Sequence, residues 1–141
     1  MTKRPLPASL KKITYRDFDL QFRSHPSSGK LLIKKDDDAV KQALKNLILT
    51  NHYERPFLPE YGGNIRARLF DNFDTITASD FENQIVNAIK NYEPRASLEG
   101  ENQPVTIIEN FDRNELTVTI RFRNTSTLND LTLDVNLNRV R

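Results

Sequence analysis

Three glutamates stand in the least ordinary parts of this 141-residue sequence: Glu54 before Arg55-Pro56, Glu60 after Pro59, and Glu93 before Pro94-Arg95. Two carboxyl groups of unequal acidity, about 5–9 Å apart, can hydrolyse a glycosidic bond. Spacing along the chain does not fix that separation. Glu54-Arg55 and Glu93-Pro94-Arg95 also place each acid beside a base, the ordinary setting of a surface or internal ion pair. A muramidase working through these carboxylates is therefore the alternative reading, and the sequence favours a protein without catalytic residues. The histidines, His25 and His52, fall in loop-like stretches with no partner at a metal-ligand spacing such as HxxH or HExxH. No GxSxG, Walker or GxGxxG segment occurs. Tyr61-Gly62-Gly63-Asn64 is a turn, since the Lys and Ser/Thr of a phosphate loop are missing. Asp36-Asp37-Asp38 suits the N-terminus of a helix better than a metal ion, because no spaced ligands follow it. No metal and no cofactor is expected.

The sequence has no cysteine, which excludes disulfides, thiolate metal sites and cysteine nucleophiles. Mean hydropathy is −0.63, so much of the surface must be polar. No apolar run approaches the ~18–20 residues of a membrane span, and the basic start, MTKRPLPASLKK, lacks the apolar centre of a signal peptide. Cytoplasmic assembly is expected, with no membrane partner. Charge is uneven. Residues 1–35 carry nine Lys/Arg and two Asp, while residues 36–112 carry seven Lys/Arg and fourteen acids. A basic arm ahead of an acidic body suits docking on acidic protein surfaces, or less favourably on nucleic acid.

The elements that must position these residues follow from periodicity. Residues 1–35 read as a basic arm with one short strand, in which Phe18, Leu20 and Phe22 alternate. Residues 36–141 read as one domain. Val40, Leu44, Leu47 and Ile48 share one face of a helix. Residues 51–64 are a loop with too much aromatic weight to be simply solvated. A short helix follows Gly62-Gly63, with Leu69 and Phe70 expected in the core. Phe81, Ile85, Ala88, Ile89 and Tyr92 mark a second long helix, opened by a Ser79/Glu82 capping box and closed by Pro94. Three strands complete the chain: one over 104–111; one with Leu116, Val118, Ile120 and Phe122 inward; and one with Leu131, Leu133, Val135 and Leu137 on one face. The fold class is α+β, a small antiparallel C-terminal meander packed on two to three helices, with an extended N-terminal arm. The last strand is expected at a sheet edge, where another chain can add a strand.

Arg55-Pro56, Pro59-Glu60-Tyr61-Gly62 and Leu69-Phe70 are followed, one amphipathic helix later, by Glu93-Pro94-Arg95, and the chain closes with Asn138-Arg139-Val140. Together these segments resemble the baseplate wedge family of contractile phage tails, often labelled lysozyme-like, with relatives in type VI secretion baseplates. The resemblance covers about residues 36–141. It implies a structural role in the tail baseplate of a virion, beside the wedge's helical core bundle and a small wedge protein. It also implies C-terminal strands on which the first ring of the tail sheath is built. On that resemblance, the partner-binding residues are Glu93, Pro94, Arg95, Arg55, Phe57, Glu60 and Tyr61. The sheath-contacting strand carries Leu131, Leu133, Val135, Leu137, Arg139 and Arg141. From the residues alone, Glu93-Pro94-Arg95 can equally be a helix stop with an internal ion pair, Glu93 to Arg55 or Arg95 to Glu60.

Overall fold

A computed structural model describes residues 14–68, 75–100, 102–110 and 115–138. Its elements run β1 (Arg16–Phe18), β2 (Ile33–Lys35), α1 (Asp36–Leu49), α2 (Ile65–Arg68), α3 (Thr75–Tyr92), β3 (Ala96–Ser97), β4 (Val105–Asn110), β5 (Glu115–Asn124) and β6 (Asp130–Asn138). The fold is α+β as expected.

Strict alternation makes β5 the centre of the main sheet. Leu116, Val118, Ile120 and Phe122 point to one side and are buried, while Arg121 and Arg123 are exposed on the other. Strand β4 pairs antiparallel along one side of β5 and β6 along the other. Arg123 is in register with both Ser97 of β3 and Asp130 of β6. A strand residue has one neighbour per side, so β3 lies on the β4 side and β6 forms the opposite edge. Helices α1 and α3 cover the apolar face. Val40, Leu44, Leu47 and Ile48 meet Phe81, Ile85, Ile89 and the buried side chains of β5 and β6 in one core. The far face keeps polar cross-strand pairs, with Thr119 donating to Asp134 at 2.8 Å and Arg123 forked onto Asp130.

Several expectations change. The Phe18–Phe22 stretch is not a half-buried strand. Strand β1 ends at Phe18, the chain turns through Leu20 and Gln21, and Phe18, Leu20 and Phe22 are all exposed. The chain instead returns through Leu31 to form β2, which pairs Phe18 with Ile33 in a separate two-stranded sheet. Helix α3 starts at Thr75, one turn before the expected capping box. Ser79 is therefore inside the helix, and Glu82 accepts the backbone N–H of Ile107 in β4 at 3.3 Å instead. The aspartates do sit in the first turn of α1, but its N-cap, Lys35, makes no side-chain capping bond.

Asp37 has a longer reach. Its carboxylate accepts from Asn124 at 2.7 Å, Thr127 at 2.6 Å and Asn129 at 2.8 Å. These hydrogen bonds hold its pKa below the ordinary range of an aspartate. The latch ties the start of α1 to the turn between β5 and β6. The expected core residues Leu69 and Phe70, and residues 1–13 of the basic arm, lie outside the described residues.

Candidate functional site

Glu93-Pro94-Arg95 joins the end of α3 to β3. The Glu93 N–H still donates to Ile89 O at 2.8 Å, as a helical residue would, and Pro94 then stops the helix. The Ala96 N–H closes the bend onto Glu93 O at 3.0 Å. Inside this bend Glu93 is 6% exposed. Arg95 folds back over it, its Nε and one terminal nitrogen donating to the two carboxylate oxygens at 2.5 and 2.6 Å. The internal pair is thus Glu93 with Arg95, in place of Glu93–Arg55 or Arg95–Glu60. A guanidinium has five N–H donors in a fixed fork, so a partly exposed Arg95 keeps donors to spare. The Glu93 hydrogen bonds raise its pKa further, and the guanidinium also lies 5.2 Å from the centre of the Tyr15 ring. Chemically, the site is a cation clamped on a buried anion and presented at a rigid bend. With both oxygens taken, Glu93 is poorly placed to hand a proton to a substrate.

The aromatic loop packs beside this bend. Arg55 lies over the Tyr61 ring at 3.8 Å, and Tyr61 packs on Tyr92 with centroids 5.1 Å apart. Tyr92 immediately precedes Glu93, so the two sequence motifs, some thirty positions apart, come together through Tyr61–Tyr92. Tyr61 is half-buried and serves as the support for Arg55. Phe57, by contrast, is 95% exposed at the loop tip, beside a half-exposed Leu58. Glu54 is held by Asn51, whose N–H and side-chain amide donate to it at 3.0 and 2.7 Å. Glu60 lines a separate cleft with His52, Tyr53 and Gln84. His25 is exposed, and among the described residues no group of acids and histidines is placed to hold a metal.

The β6 strand presents its backbone rather than its apolar side chains. Leu131 and Leu133 are half-buried and Val135 and Leu137 buried, all turned to the core. Antiparallel ladders alternate bonded and non-bonded pairs. The Asn124 N–H donates to Asn129 O at 3.0 Å, which fixes the phase. The backbone groups of Leu131, Leu133, Val135 and Leu137 therefore bond to β5. Those of Thr132, Asp134, Asn136 and Asn138 point outward, and among the described residues no strand pairs with them. The outward backbone groups on this edge thus belong to residues that hydrophobic patterning passed over, although the alternation itself carried the signal. Arg139 and Arg141 lie outside the described residues. The same reasoning, phased by the Arg121 N–H on Pro104 O, turns the Ile107 N–H outward on β4, where Glu82 occupies it.

Comparison with known proteins adds a family. The model of the family described as baseplate wedge protein gp25 matches residues 34–128. The baseplate wedge protein gp25 of Enterobacteria phage T4 is 37% identical over 84 residues, 60% of this chain and 61% of that protein. The chain therefore spans about three-fifths of the length of that curated relative. A solved structure from Geobacter sulfurreducens, described as a "putative tail lysozyme", superposes with a TM-score of 0.66 at 22% identity, covering 79% of this chain and 98% of that one. A chain of the anti-feeding prophage baseplate superposes with a TM-score of 0.59 at 21% identity, covering 90% of this chain and 88% of that one. At these identities the two structures show a shared fold.

Proposed function

Since the chain belongs to the family of baseplate wedge protein gp25, we propose that it is a structural, non-catalytic subunit of a contractile-tail baseplate wedge. It assembles in the host cytoplasm and remains in the tail baseplate of the particle. Arg95, fixed by Glu93 and Pro94, offers its remaining donors to carboxylates of the wedge's helical core. Phe57, carried on the loop braced by Arg55 and Tyr61, inserts into a neighbouring wedge protein, with Glu60 beside it as a further contact. The β6 edge receives a strand of the sheath protein and so templates the first sheath ring.

The observation that carries this reading is the difference between the two edges of the sheet. Glu82 fills the middle donor of the β4 edge, whereas the β6 edge leaves a row of outward N–H and C=O groups, the standard template for strand addition. The muramidase alternative loses Glu93 as a proton donor, because Arg95 holds both of its oxygens.

Asn136→Pro is the sharpest test. Proline removes one outward donor and leaves the bonds of Val135 and Leu137 to β5 in place, a substitution that edge strands accept. Purified protein would be mixed with a contractile sheath protein and imaged by electron microscopy. Wild type is expected to seed ordered sheath, and Asn136→Pro to stay folded and seed none. Normal sheath growth on the variant would refute strand addition at this edge. Deleting β6 is a poorer test, since it also removes Val135 and Leu137 from the core.

A further inference from the structure

We propose that the outer face of the β1–β2 sheet is a docking surface for an acidic amphipathic helix of another protein. Residues directly opposite in an antiparallel pair share a face. The register therefore puts Phe18 and Ile33 on one face, flanked by Arg16 and Lys35. All four are exposed, while Asp17 and Lys34, on the opposite face, are partly buried. Leu31 continues the outer face, and Leu20 and Phe22 are exposed in the adjoining turn. Phe18 is 60% and Phe22 72% exposed. Phe18, Ile33, Arg16 and Asp17 line a shallow hollow of about 140 Å³. Exposed apolar residues gathered on one element, with a charged rim, mark an interaction site rather than ordinary surface.

The surface is pinned in place. Buried Gln42 of α1 donates to Phe18 O at 2.6 Å, and the Asp36 N–H donates to Tyr15 O at 2.9 Å. Asp19, 1% exposed, anchors the turn by accepting from Arg23 at 2.7 Å, with the Lys34 ammonium 3.9 Å away as a second counter-charge. An apolar face held this firmly on a helix is presented, not left over. It also lies almost wholly outside the residues that the family model matches.

Charge and backbone select the occupant. Arg16, Lys30 and Lys35 are exposed around the patch. Of the nearby acids, Asp17 accepts the N–H of Phe18 at 2.8 Å and Asp19 is neutralised by its cations. Arg16 and Lys35 on the outer face outnumber Asp17, which also lines the hollow, so the rim is net positive and complements glutamates or aspartates. At Phe18 both outward backbone groups are used, the N–H by Asp17 and the C=O by Gln42. Strand addition along β1 is blocked there. The side-chain face remains available, and an amphipathic helix with leucines toward it and acids at the flanks fits it. This inference does not rest on the wedge or sheath assignments.

The test uses the full chain and a fluorescein-labelled designed helical peptide of about 18 residues, with leucines on one face and glutamates on the other. Saturable binding by fluorescence anisotropy is expected. Affinity should fall at least about tenfold for Phe18→Ser/Ile33→Ser and for Arg16→Glu/Lys35→Glu. Melting temperatures should be nearly unchanged, because the four side chains are exposed. A peptide with lysines in place of the glutamates should not bind. No binding of the acidic peptide, or equal binding of both peptides or by wild type and variants, overturns the proposal. It is also overturned if sedimentation velocity shows a dimer that Phe18→Ser/Ile33→Ser abolishes, or if phosphatidylglycerol vesicles bind the face in preference to the peptide.

Discussion

Arg95 serves the fold through its pair with Glu93 and, in the proposed wedge, would serve a partner as well. Its charge neutralises a carboxylate that would otherwise be buried alone, and removing one member of such a pair leaves the other uncompensated. Arg95→Ala should therefore cost about 2 kcal/mol of stability by thermal or urea unfolding. Glu93→Gln/Arg95→Ala should be less destabilised than Arg95→Ala alone, because a neutral amide is cheaper to bury. Binding to wedge partners, measured well below the melting temperature, should be lost in both. A double variant that recovers stability and also binds normally would reduce Arg95 to an internal counter-ion. The motif was legible from residue types around a proline. The choice among Arg55, Glu60 and each other as ion partners was not, because it depends on the backbone closing through Ala96 onto Glu93.

Elements were legible where one period governs them. β5, α3 and the apolar face of α1 follow directly from spacing. The β1–β2 pair did not, because Phe18, Leu20 and Phe22 mimic a strand while Phe22 takes a left-handed φ of 52° and the chain turns back. The Ser79/Glu82 pattern misled for a related reason. A capping box is local, and Glu82 found a better bond on a strand 25 residues away. The glycine pair shows a close approach that spacing could only hint at. A Cβ on Gly62, whose φ is +125°, would lie 2.2 Å from Thr50 O, and one on Gly63 would lie 2.8 Å from Ile48 O. The turn is pressed against the last turn of α1, where the Gly63 N–H caps Leu47 O at 2.9 Å. Gly62→Ala should destabilise the protein by about 2–3 kcal/mol and loosen the aromatic loop, which hydrogen exchange at Tyr61 would report. An unshifted unfolding midpoint would contradict this close packing.

Across the whole molecule, the Asp37 latch joins residues some ninety positions apart and fixes α1 against the β5–β6 hairpin. Its pKa is depressed in the folded state, so the folded protein binds its proton less readily than the unfolded chain. The stabilisation is fully present above the unfolded value of about 3.9 and disappears as pH falls through the lower folded value. Asp37→Asn should melt lower than wild type at pH 6, and the gap should narrow as pH drops below about 4. A gap independent of pH down to about 2.5 would mean that the charge of Asp37 contributes nothing. No sequence pattern announces this latch, since its donors Asn124, Thr127 and Asn129 look like ordinary turn residues.

The Glu82 carboxylate on Ile107 gives the sheet a polarity. A sheet open on both sides can be lengthened from either, and identical copies can then stack into an endless ribbon. Here, among the described residues, one side has its middle donor taken from within and the other has no strand beside it, so strand addition is favoured on one side. If the proposed strand addition holds, a molecule built that way would start a lattice of another protein from one side only.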